Sequence, residues 1–277
     1  MQQDQQIDFS NQVVVITGAG RGLGRSYALA FGDRRAHVVV HDAGVGPDGT
    51  GGDESVADVV VEEIRQAGNS ASASYYDIAT KQGCDALIAD TIRDYGHIDV
   101  LVSNAGVVRF ISDEEMTEQD VESMFAVNAL ASLWLTLAIK PHLKRQCYGR
   151  IVYTVSGHGT TSASAPNELT AYGMSKAAVF GIMNISSGEF GESDIQLNAI
   201  SPVAATRVLR RPVTGDEFSP EKVVPGVLLL ASSAWSSSGN IVTAADGRFG
   251  LRRMVTEQLV ELNQENLTPE ALLAQWT

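Results

Sequence analysis

Apolar and polar positions follow two periodicities that alternate along this chain. Short runs rich in valine and isoleucine precede longer stretches in which apolar side chains recur at helical spacing, as in residues 13–16 followed by 23–35. Each such pair predicts a strand followed by a helix. The strands predicted in this way are residues 13–16, 37–41, 74–76, 98–102, 150–155, 195–200 and 240–243.

The predicted strands are apolar on both faces, and helical segments rather than two-residue turns separate them. This pattern is typical of a parallel sheet covered on both sides. The 277 residues are within reach of one α/β domain. We therefore predict a single doubly wound domain, with seven parallel strands and helices on both faces, that carries a polar tail at 1–10 and a C-terminal extension at 251–277.

Two helical segments, 120–140 and 170–190, are apolar over more than one stripe. A helix that is apolar nearly all round needs cover on both sides. One face can pack on the sheet, and the other needs a further element or a partner subunit. These helices predict a homodimer or homotetramer.

Residues 44–52 are rich in glycine and residues 232–238 are rich in serine. Both segments predict loops. The first is longer than an ordinary connection between a strand and a helix, so it either lies over a cofactor or is a surface loop without important contacts.

Composition narrows the classes of partner. The net charge of -13 repels phosphate backbones and anionic membranes, so we do not expect nucleic acid as a partner. No apolar run of about 18 to 20 residues predicts a bilayer span, and the polar start lacks the pattern of a signal peptide. Cys84 and Cys147 are too few for a disulfide framework. We expect a cytoplasmic protein without membrane attachment and without a bound metal.

A glycine-rich turn directly follows the first strand and opens the first helix, over residues 17–24. Such a turn lets the backbone approach a diphosphate, and the free N–H groups of the helix start attract its charge. Because of its place between strand and helix, we interpret the turn as a dinucleotide-binding loop. The candidate residues there are Gly18, Arg21, Gly22, Leu23 and Gly24.

Asp42 ends the second strand, where the ribose of a dinucleotide lies in such folds. A carboxylate there accepts from the ribose hydroxyls and repels a 2′-phosphate, which favours NAD over NADP. Arg21 would instead favour NADP if its guanidinium contacts a 2′-phosphate. Asp77 either meets the adenine, with Ile78 beside it, or caps the helix that begins near Ala79.

Tyr172 and Lys176 are four residues apart in a helical segment, so their side chains share one face. An ammonium near a phenol favours the phenolate and lowers its pKa. Tyr172 then serves as a general base toward an alcohol or a general acid toward a ketone. Ser156, just after the strand at 150–155, is placed to hold the substrate oxygen.

Together these residues resemble the short-chain dehydrogenase/reductase family. The likeness covers residues 10–250 and includes, in the family's order, the glycine loop, Asn104-Ala105-Gly106, Asn128, Ser156 and the pair Tyr172 and Lys176. It implies a Rossmann-type fold and a nicotinamide-dependent oxidoreductase.

The same resemblance implies the roles of individual residues. Tyr172 exchanges the proton, Ser156 orients the carbonyl or hydroxyl group, Lys176 binds the nicotinamide ribose, and Asn128 supports a proton relay. Further cofactor contacts are assigned to Asn104, Ala105, Gly106, Pro202, Val203 and Thr206.

A narrower likeness, to the (3R)-hydroxyacyl-CoA dehydrogenase part of peroxisomal multifunctional enzymes and its bacterial single-domain relatives, extends over nearly the whole chain. It rests on the glycine loop, the glycine-rich insert after Asp42, Asn198-Ala199-Ile200-Ser201-Pro202 and the tail at 267–271. Such relatives are also similar to steroid and secondary-alcohol dehydrogenases, so the substrate class stays open.

Three positions depart from the family pattern. Ser103 replaces a first asparagine, and we expect its hydroxyl to bond the backbone instead. Val203 follows Pro202 where most members have glycine. Ser156 lies 16 residues before Tyr172, slightly farther than usual, so Ser162 and Ser164 are rivals for the serine role.

Residues 203–219 occupy the place of the family's substrate lid. They contain Arg207, Arg210 and Arg211, which either hold the phosphates of an acyl-CoA or form a solvated face. The other candidate substrate residues are His158, Val108 and Leu209.

The sequence thus predicts an NAD-dependent oxidoreductase that moves a hydride between nicotinamide and a secondary alcohol or ketone. A 3-hydroxyacyl-CoA, a hydroxysteroid and a cyclic alcohol are the candidate substrates. The alternative is a dinucleotide-binding or redox-sensing protein without turnover.

Overall fold

A computed structural model describes residues 6–46, 51–160, 167–190, 193–205, 215–256, 258–264 and 267–276. Over these residues one sheet has the strand order β3-β2-β1-β4-β5-β6-β7-β8, and all pairs are parallel except β7 with β8. The strands are β1 Val13–Thr17, β2 His37–His41, β3 Ser70–Ser74, β4 Val100–Ser103, β5 Tyr148–Thr154, β6 Asp194–Val203, β7 Ile241–Ala245 and β8 Arg248–Arg252.

Helices connect the parallel strands and cover both faces of the sheet. They are α1 Gly22–Asp33, α2 Ser55–Gln66, α3 Lys81–Tyr95, α4 Glu118–Phe125, α5 Ala131–Gln146, α6 Gly157–Thr160, α7 Thr170–Ser187 and α8 Val224–Ala231; a further helix, α9 Pro269–Trp276, follows the last strand and buries no residue. The predicted doubly wound α/β fold, with its seven parallel strands, is confirmed.

The side chains of alternate strand residues pack in two separate hydrophobic cores, one on each face of the sheet. Val14 and Ile16 of β1 pack in the core under α1, α2 and α8, whereas Val13 and Val15 pack in the core under α3, α5 and α7. Successive side chains of a strand point to opposite faces, so a strand buried on both faces is apolar throughout. This arrangement is the physical basis of the apolar runs in the sequence.

The two edges of the sheet differ from the prediction. The third strand is Ser70–Ser74, not 74–76, and its sequence Ser-Ala-Ser-Ala-Ser has no β-branched residue. It is a strand because all five residues pair with β2. Strand β8, whose residues are all exposed, was not predicted, and its antiparallel pairing with β7 adds an eighth strand.

The predicted helix at 120–140 is part of a longer helical segment, Glu118–Gln146, with a π-helical turn at Ala126–Leu130. By length and composition alone this segment is long and apolar enough to cross a membrane, which the sequence analysis did not predict. Its buried side chains Leu135, Ile139 and Leu143 belong to the core under α3, α5 and α7, which accounts for the apolar composition.

The N-terminal residues are not a purely polar tail. Phe9 is fully buried and packs edge to face against Phe31 of α1, with the ring centroids 4.7 Å apart. Arg35 also forms an ion pair with Asp8 at 2.6 Å. The described part of the tail is therefore docked on the domain.

Candidate active site

The strand order reverses between β1 and β4, and the candidate site lies at the carboxyl ends of these strands. The Thr17 hydroxyl, at the end of β1, accepts from the backbone N–H groups of Asn104 (3.0 Å) and Ala105 (3.1 Å). The Asn104 side chain donates back to the carbonyl oxygens of Thr17 (2.9 Å) and Gly18 (3.2 Å). These bonds hold the two strand ends together beside the glycine loop, where open α/β sheets bind their ligands.

Two glycines of the loop have no room for a side chain. A Cβ on Gly24 would lie 2.0 Å from the Gly18 carbonyl oxygen, and a Cβ on Gly18, whose φ is +65°, would lie 2.9 Å from Ala105 Cα. The loop is therefore a tight backbone turn, as its sequence predicts.

The first turn of α1 presents backbone N–H groups that no side chain caps. The residue before it, Arg21, makes no capping hydrogen bond, and the turn contains no acidic residue. By contrast, Thr80 caps α3 and Thr117 caps α4. Uncapped N–H groups and the helix dipole favour an anion, so this chain's glycine loop fits the diphosphate of a dinucleotide.

The Asp42 carboxylate lies beside the loop and accepts from two backbone N–H groups, those of Gly20 (2.9 Å) and Gly44 (2.8 Å). A Cβ on Gly20 would lie 2.3 Å from Val56 Cγ1, and one on Gly44 would lie 2.1 Å from the Asp53 carbonyl oxygen. The two ends of the glycine-rich insert thus meet at Asp42, next to the dinucleotide loop. Arg21 donates to the Val45 carbonyl oxygen at 3.4 Å.

Asp77 does not cap a helix. Its carboxylate accepts from the Ala79 N–H (3.0 Å), while Thr80 is the N-cap of α3. The capping interpretation is therefore wrong, because the helix begins two residues later than the composition suggested. Asp77 is exposed and its neighbour Ile78 is buried in the core.

Helix α6 brings Ser156 to Tyr172. A Cβ on Gly159 would lie 2.6 Å from both the Gly173 carbonyl oxygen and the Ala177 nitrogen, so α6 and α7 touch backbone to backbone. The Ser156 side chain lies close enough to the Tyr172 hydroxyl to lower its pKa by hydrogen bonding. The structure thus places the predicted serine on the predicted tyrosine, while Ser162 and Ser164 lie outside the described residues.

Lys176 is buried on the same face of α7. Its ammonium donates to the Thr154 carbonyl oxygen at 3.0 Å and lies 6.0 Å from the centroid of the Tyr172 ring. Burial lowers the pKa of Lys176 to about 8.

The expected lowering of the tyrosine pKa by this lysine is not observed. Burial raises the pKa of Tyr172, and the hydrogen bond from Ser156 acts against that rise. The desolvation of the phenolate is larger than the stabilisation it receives, so the phenol is protonated at neutral pH.

Asn128 lies in the π-helical turn, and its amide is fully committed to protein partners. The amide oxygen accepts from the Val107 N–H (2.8 Å), and the amide nitrogen donates to the Val107 carbonyl oxygen (2.9 Å) and to Ser175 Oγ (3.0 Å). A Cβ on Gly106 would lie 3.1 Å from this amide oxygen and 3.3 Å from Lys176 Nζ. Asn128 and Lys176 therefore meet at Gly106.

The hydroxyl of Ser103 does not bond the backbone as expected. It pairs with Ser132 Oγ at 2.9 Å, and Ser132 in turn donates to the Asn128 carbonyl oxygen at 3.2 Å. Thr17 supplies the strand-end hydrogen bonds instead. Sequence reasoning missed Thr17 and Ser175 as organising residues, although Thr17 is the one polar residue of an otherwise apolar strand.

The remaining candidates differ in how well they are placed. His158 is exposed, and its backbone N–H donates to Ser156 Oγ at 3.3 Å; Val108 is half-buried. Pro202 and Val203 end β6, and Val203 is exposed. The base of the predicted lid is closed by a hydrogen bond from the Ala205 N–H to the Phe218 carbonyl oxygen (2.6 Å). The candidates that lie outside the described residues are Thr206, Arg207, Leu209, Arg210 and Arg211.

The site thus combines a glycine loop, at the point where the strand order reverses, with the side chains of Ser156, Tyr172 and Lys176. This combination is typical of an oxidoreductase with a dinucleotide-binding fold. The family model described as short chain dehydrogenase matches residues 12–215. The chain belongs to this family, whose members act on hydroxyl and keto groups with NAD or NADP.

Among curated proteins, the chain is similar to the peroxisomal hydratase-dehydrogenase-epimerase of Saccharomyces cerevisiae. The two are 35% identical over 275 residues, which is 98% of this chain and 30% of the yeast protein. The chain thus spans about a third of the length of this relative, and it resembles the dehydrogenase part of such multifunctional enzymes.

Among solved structures, a short chain dehydrogenase from Mycobacterium avium has a TM-score of 0.80 at 30% identity, with 98% of this chain and 94% of that chain covered. A 7α-hydroxysteroid dehydrogenase complexed with NADH and 7-oxo glycochenodeoxycholic acid has a TM-score of 0.78 at 27% identity, with 89% and 97% covered. A metagenomic short-chain oxidoreductase in complex with NADP has a TM-score of 0.69 at 26% identity, with 83% and 96% covered.

Proposed function

We propose that this protein is an NAD-dependent dehydrogenase that interconverts a secondary alcohol and its ketone, with Tyr172 as the proton donor and acceptor. The observation that carries the proposal is the proximity of the Ser156 side chain to the Tyr172 hydroxyl, with the Lys176 ammonium on the same face of α7. The pair belongs to the same described domain as the glycine loop that fits a dinucleotide diphosphate.

The proposal assigns the dinucleotide to the carboxyl edge of the sheet. The diphosphate is held by the backbone of Gly18, Arg21, Gly22, Leu23 and Gly24, and the adenosine by Asp42, Asp77 and Ile78. The nicotinamide half is held by Asn104, Ala105, Gly106, Tyr172, Lys176, Pro202, Val203 and Thr206. When bound, the nicotinamide accepts a hydride from the alcohol carbon or supplies one to the ketone carbon.

The preference for NAD rests on Asp42. Its carboxylate is held beside the glycine loop by the N–H groups of Gly20 and Gly44. A fixed negative charge there repels the 2′-phosphate of NADP. The nearest cation of the loop, Arg21, is turned to the Val45 carbonyl oxygen.

The proton moves through the Tyr172 hydroxyl. In ketone reduction the neutral phenol gives its proton to the substrate oxygen, and in alcohol oxidation the phenolate takes it back. Ser156 donates to the same oxygen or to the phenolate. Lys176, held by the Thr154 carbonyl oxygen, places a positive charge near the phenolate when it forms.

The substrate class stays between a 3-hydroxyacyl-CoA, a hydroxysteroid and a cyclic alcohol. His158, Val108, Arg207 and Leu209 are the proposed contacts. The likeness to the multifunctional enzymes and the likeness to the steroid dehydrogenase support different members of this set.

We also propose that the protein is cytoplasmic and forms a homodimer or homotetramer through the helices around 120–140 and 170–190, which correspond to the segment Glu118–Gln146 and to α7. Both helices carry exposed apolar side chains although their other faces lie in the core. Leu137 of α5 is 45% exposed, and Met174 and Ile185 of α7 are 51% and 75% exposed. A second copy of the chain would remove these side chains from water.

The test is the formation of NADH or NADPH by the purified protein over a panel of hydroxyacyl-CoAs, hydroxysteroids and cyclic secondary alcohols. We expect one substrate class to respond, with NAD preferred. Selective oxidation of hydroxyacyl-CoAs would assign Arg207, Arg210 and Arg211 to the binding of phosphates. Binding of a dinucleotide without turnover on the whole panel would contradict the proposal and favour the non-catalytic alternative.

A further inference from the structure

The backbone of Tyr172 is bonded from within its own helix by a buried hydroxyl. Ser175 is fully buried, and its Oγ donates to the Tyr172 carbonyl oxygen at 2.8 Å. The same oxygen atom accepts from the amide nitrogen of Asn128 at 3.0 Å. Ser175 therefore links the tyrosine to a different helical segment.

The hydrogen bonds between Asn128, Ser175 and Tyr172 can be formed in one arrangement only. The amide nitrogen of Asn128 has two hydrogens, and they go to the Val107 carbonyl oxygen and to Ser175 Oγ. The single hydroxyl hydrogen of Ser175 is then left for the Tyr172 carbonyl oxygen. Every hydrogen of the two side chains has an acceptor, so the network has no alternative pairing with equal satisfaction.

Asn128 is itself held in place from the other side. Its carbonyl oxygen accepts from Ser132 Oγ, and Ser132 pairs with Ser103 at the end of β4. Its amide oxygen lies next to Gly106, where Lys176 Nζ also lies. A continuous set of buried hydrogen bonds thus runs from the sheet to the segment that carries Tyr172.

We infer that Ser175 is a positioning residue, which sets the place of Tyr172 relative to Ser156 and Lys176 by joining α7 to the π-helical turn of Asn128. This inference rests on the proposed function of Tyr172. Loss of the hydroxyl leaves an amide hydrogen of Asn128 unsatisfied in a buried place and removes the hydrogen bond to the Tyr172 backbone. The tyrosine is then free to shift by fractions of an ångström, which reduces proton transfer more than it reduces binding.

The test compares S175A with S187A. Ser187 lies on the same helix, and its hydroxyl donates to the Met183 carbonyl oxygen in a similar way, but it lies about four helical turns from Tyr172. We expect S175A to lower kcat by about tenfold to a hundredfold, with the KM for the dinucleotide almost unchanged and a displaced pH profile. S187A should match the wild type, and S175T, which keeps the hydroxyl, should restore much of kcat.

A second readout does not require turnover. In protein labelled at tyrosine ¹³Cζ, the Tyr172 signal is identified by its absence from Y172F. We expect that signal to move in S175A and to stay in place in S187A, because its hydrogen bond to Ser156 changes only in the former. If S175A does not fold, S175C is used in its place, because cysteine has nearly the volume of serine and forms a weaker hydrogen bond.

The outcomes separate the inference from the proposed function. A wild-type protein without turnover contradicts the proposed function, and the ¹³C signal alone then decides whether Ser175 positions Tyr172. A Tyr172 signal and kcat in S175A equal to those of S187A overturn the inference. A loss of thermal stability in S175A without any change of the pH profile or the signal also overturns it.

Discussion

The Lys176 ammonium donates to the Thr154 carbonyl oxygen at 3.0 Å, so the last residue of β5 holds the charge that faces the candidate tyrosine. Lys176 is 3% exposed, and its ammonium also lies near Gly106 and the ring of Tyr172. A buried ammonium with one backbone acceptor carries a desolvation penalty that this hydrogen bond offsets only in part. The site is therefore built at the expense of stability.

Replacement of Lys176 by methionine should reveal the desolvation penalty of the buried ammonium. Burial lowers the pKa of Lys176 from 10.5 to about 8, so between these values the unfolded chain binds a proton that the folded chain does not. The free energy of unfolding of the wild type should consequently rise with pH in this window relative to K176M. At pH 7 we expect K176M to be more stable by about 3 kcal/mol and inactive.

Urea unfolding of both proteins at a series of pH values checks this. A difference that stays constant from pH 8 to pH 10 would show that the lysine is not desolvated. Groups that titrate equally in both proteins cancel in the comparison.

Removal of the tyrosine hydroxyl should separate chemistry from binding. We expect Y172F to lower turnover by about a hundredfold to ten-thousandfold, while titration calorimetry gives a nearly unchanged affinity for NADH. Because burial raises the pKa of Tyr172, alcohol oxidation by the wild type should become faster as the pH rises, whereas ketone reduction should become slower. Retained turnover in Y172F would remove the acid–base assignment.

Asp42 should control both cofactor choice and the loop. In D42A the Gly20 and Gly44 N–H groups lose a charged acceptor, and we expect the free energy of unfolding to fall by about 2 kcal/mol. The ratio of kcat/KM for NAD to that for NADP should fall as well. D42N keeps an acceptor but lacks the charge, so it should lose discrimination with a smaller loss of stability. A wild type that prefers NADPH would contradict the ribose argument.

The glycine loop should not accept a side chain at Gly24. A Cβ there meets the Gly18 backbone at 2.0 Å, and a backbone atom cannot move aside as a flexible side chain can. We expect G24A to destabilise the domain by about 2 kcal/mol and to abolish dinucleotide binding. G181A is the matched control, because no atom lies within 4 Å of a Cβ in that helix position; it should stabilise the protein by about 0.5 kcal/mol. Equal thermal stability of the two variants would show that the loop relaxes.

The apolar face of α7 should determine the oligomeric state. Ile185 is 75% exposed, and a glutamate there would remain charged and buried against a second copy. We expect I185E to be monomeric in light scattering, whereas the wild type is a dimer or tetramer. V59E changes a valine of α2 that is 62% exposed and should not alter the mass. A monomeric wild type would rule out the proposed homo-oligomer.

Periodicity located most of the sheet because strands buried on both faces are apolar in every position. It failed for β3 and β8, which lie at the edges. Ser70–Ser74 has no strand-forming side chains and owes its conformation to pairing with His37–His41, and the residues of β8 are all exposed. Edge strands depend on their partner, and a single sequence does not show the partner.

The sequence by itself determined the doubly wound fold, the dinucleotide loop and the candidates Ser156, Tyr172 and Lys176. The fold and the loop follow from helical and strand periodicities and from a turn without side chains, which are properties of neighbouring residues, whereas the three candidates also needed the resemblance to a known family. The tertiary structure alone decided that Thr17 joins the ends of β1 and β4, that Asp42 bonds Gly20 and Gly44, and that burial raises the pKa of Tyr172 although Lys176 lies nearby. Hydrogen bonding and desolvation depend on which distant segments surround a group, and only the folded chain brings those segments together.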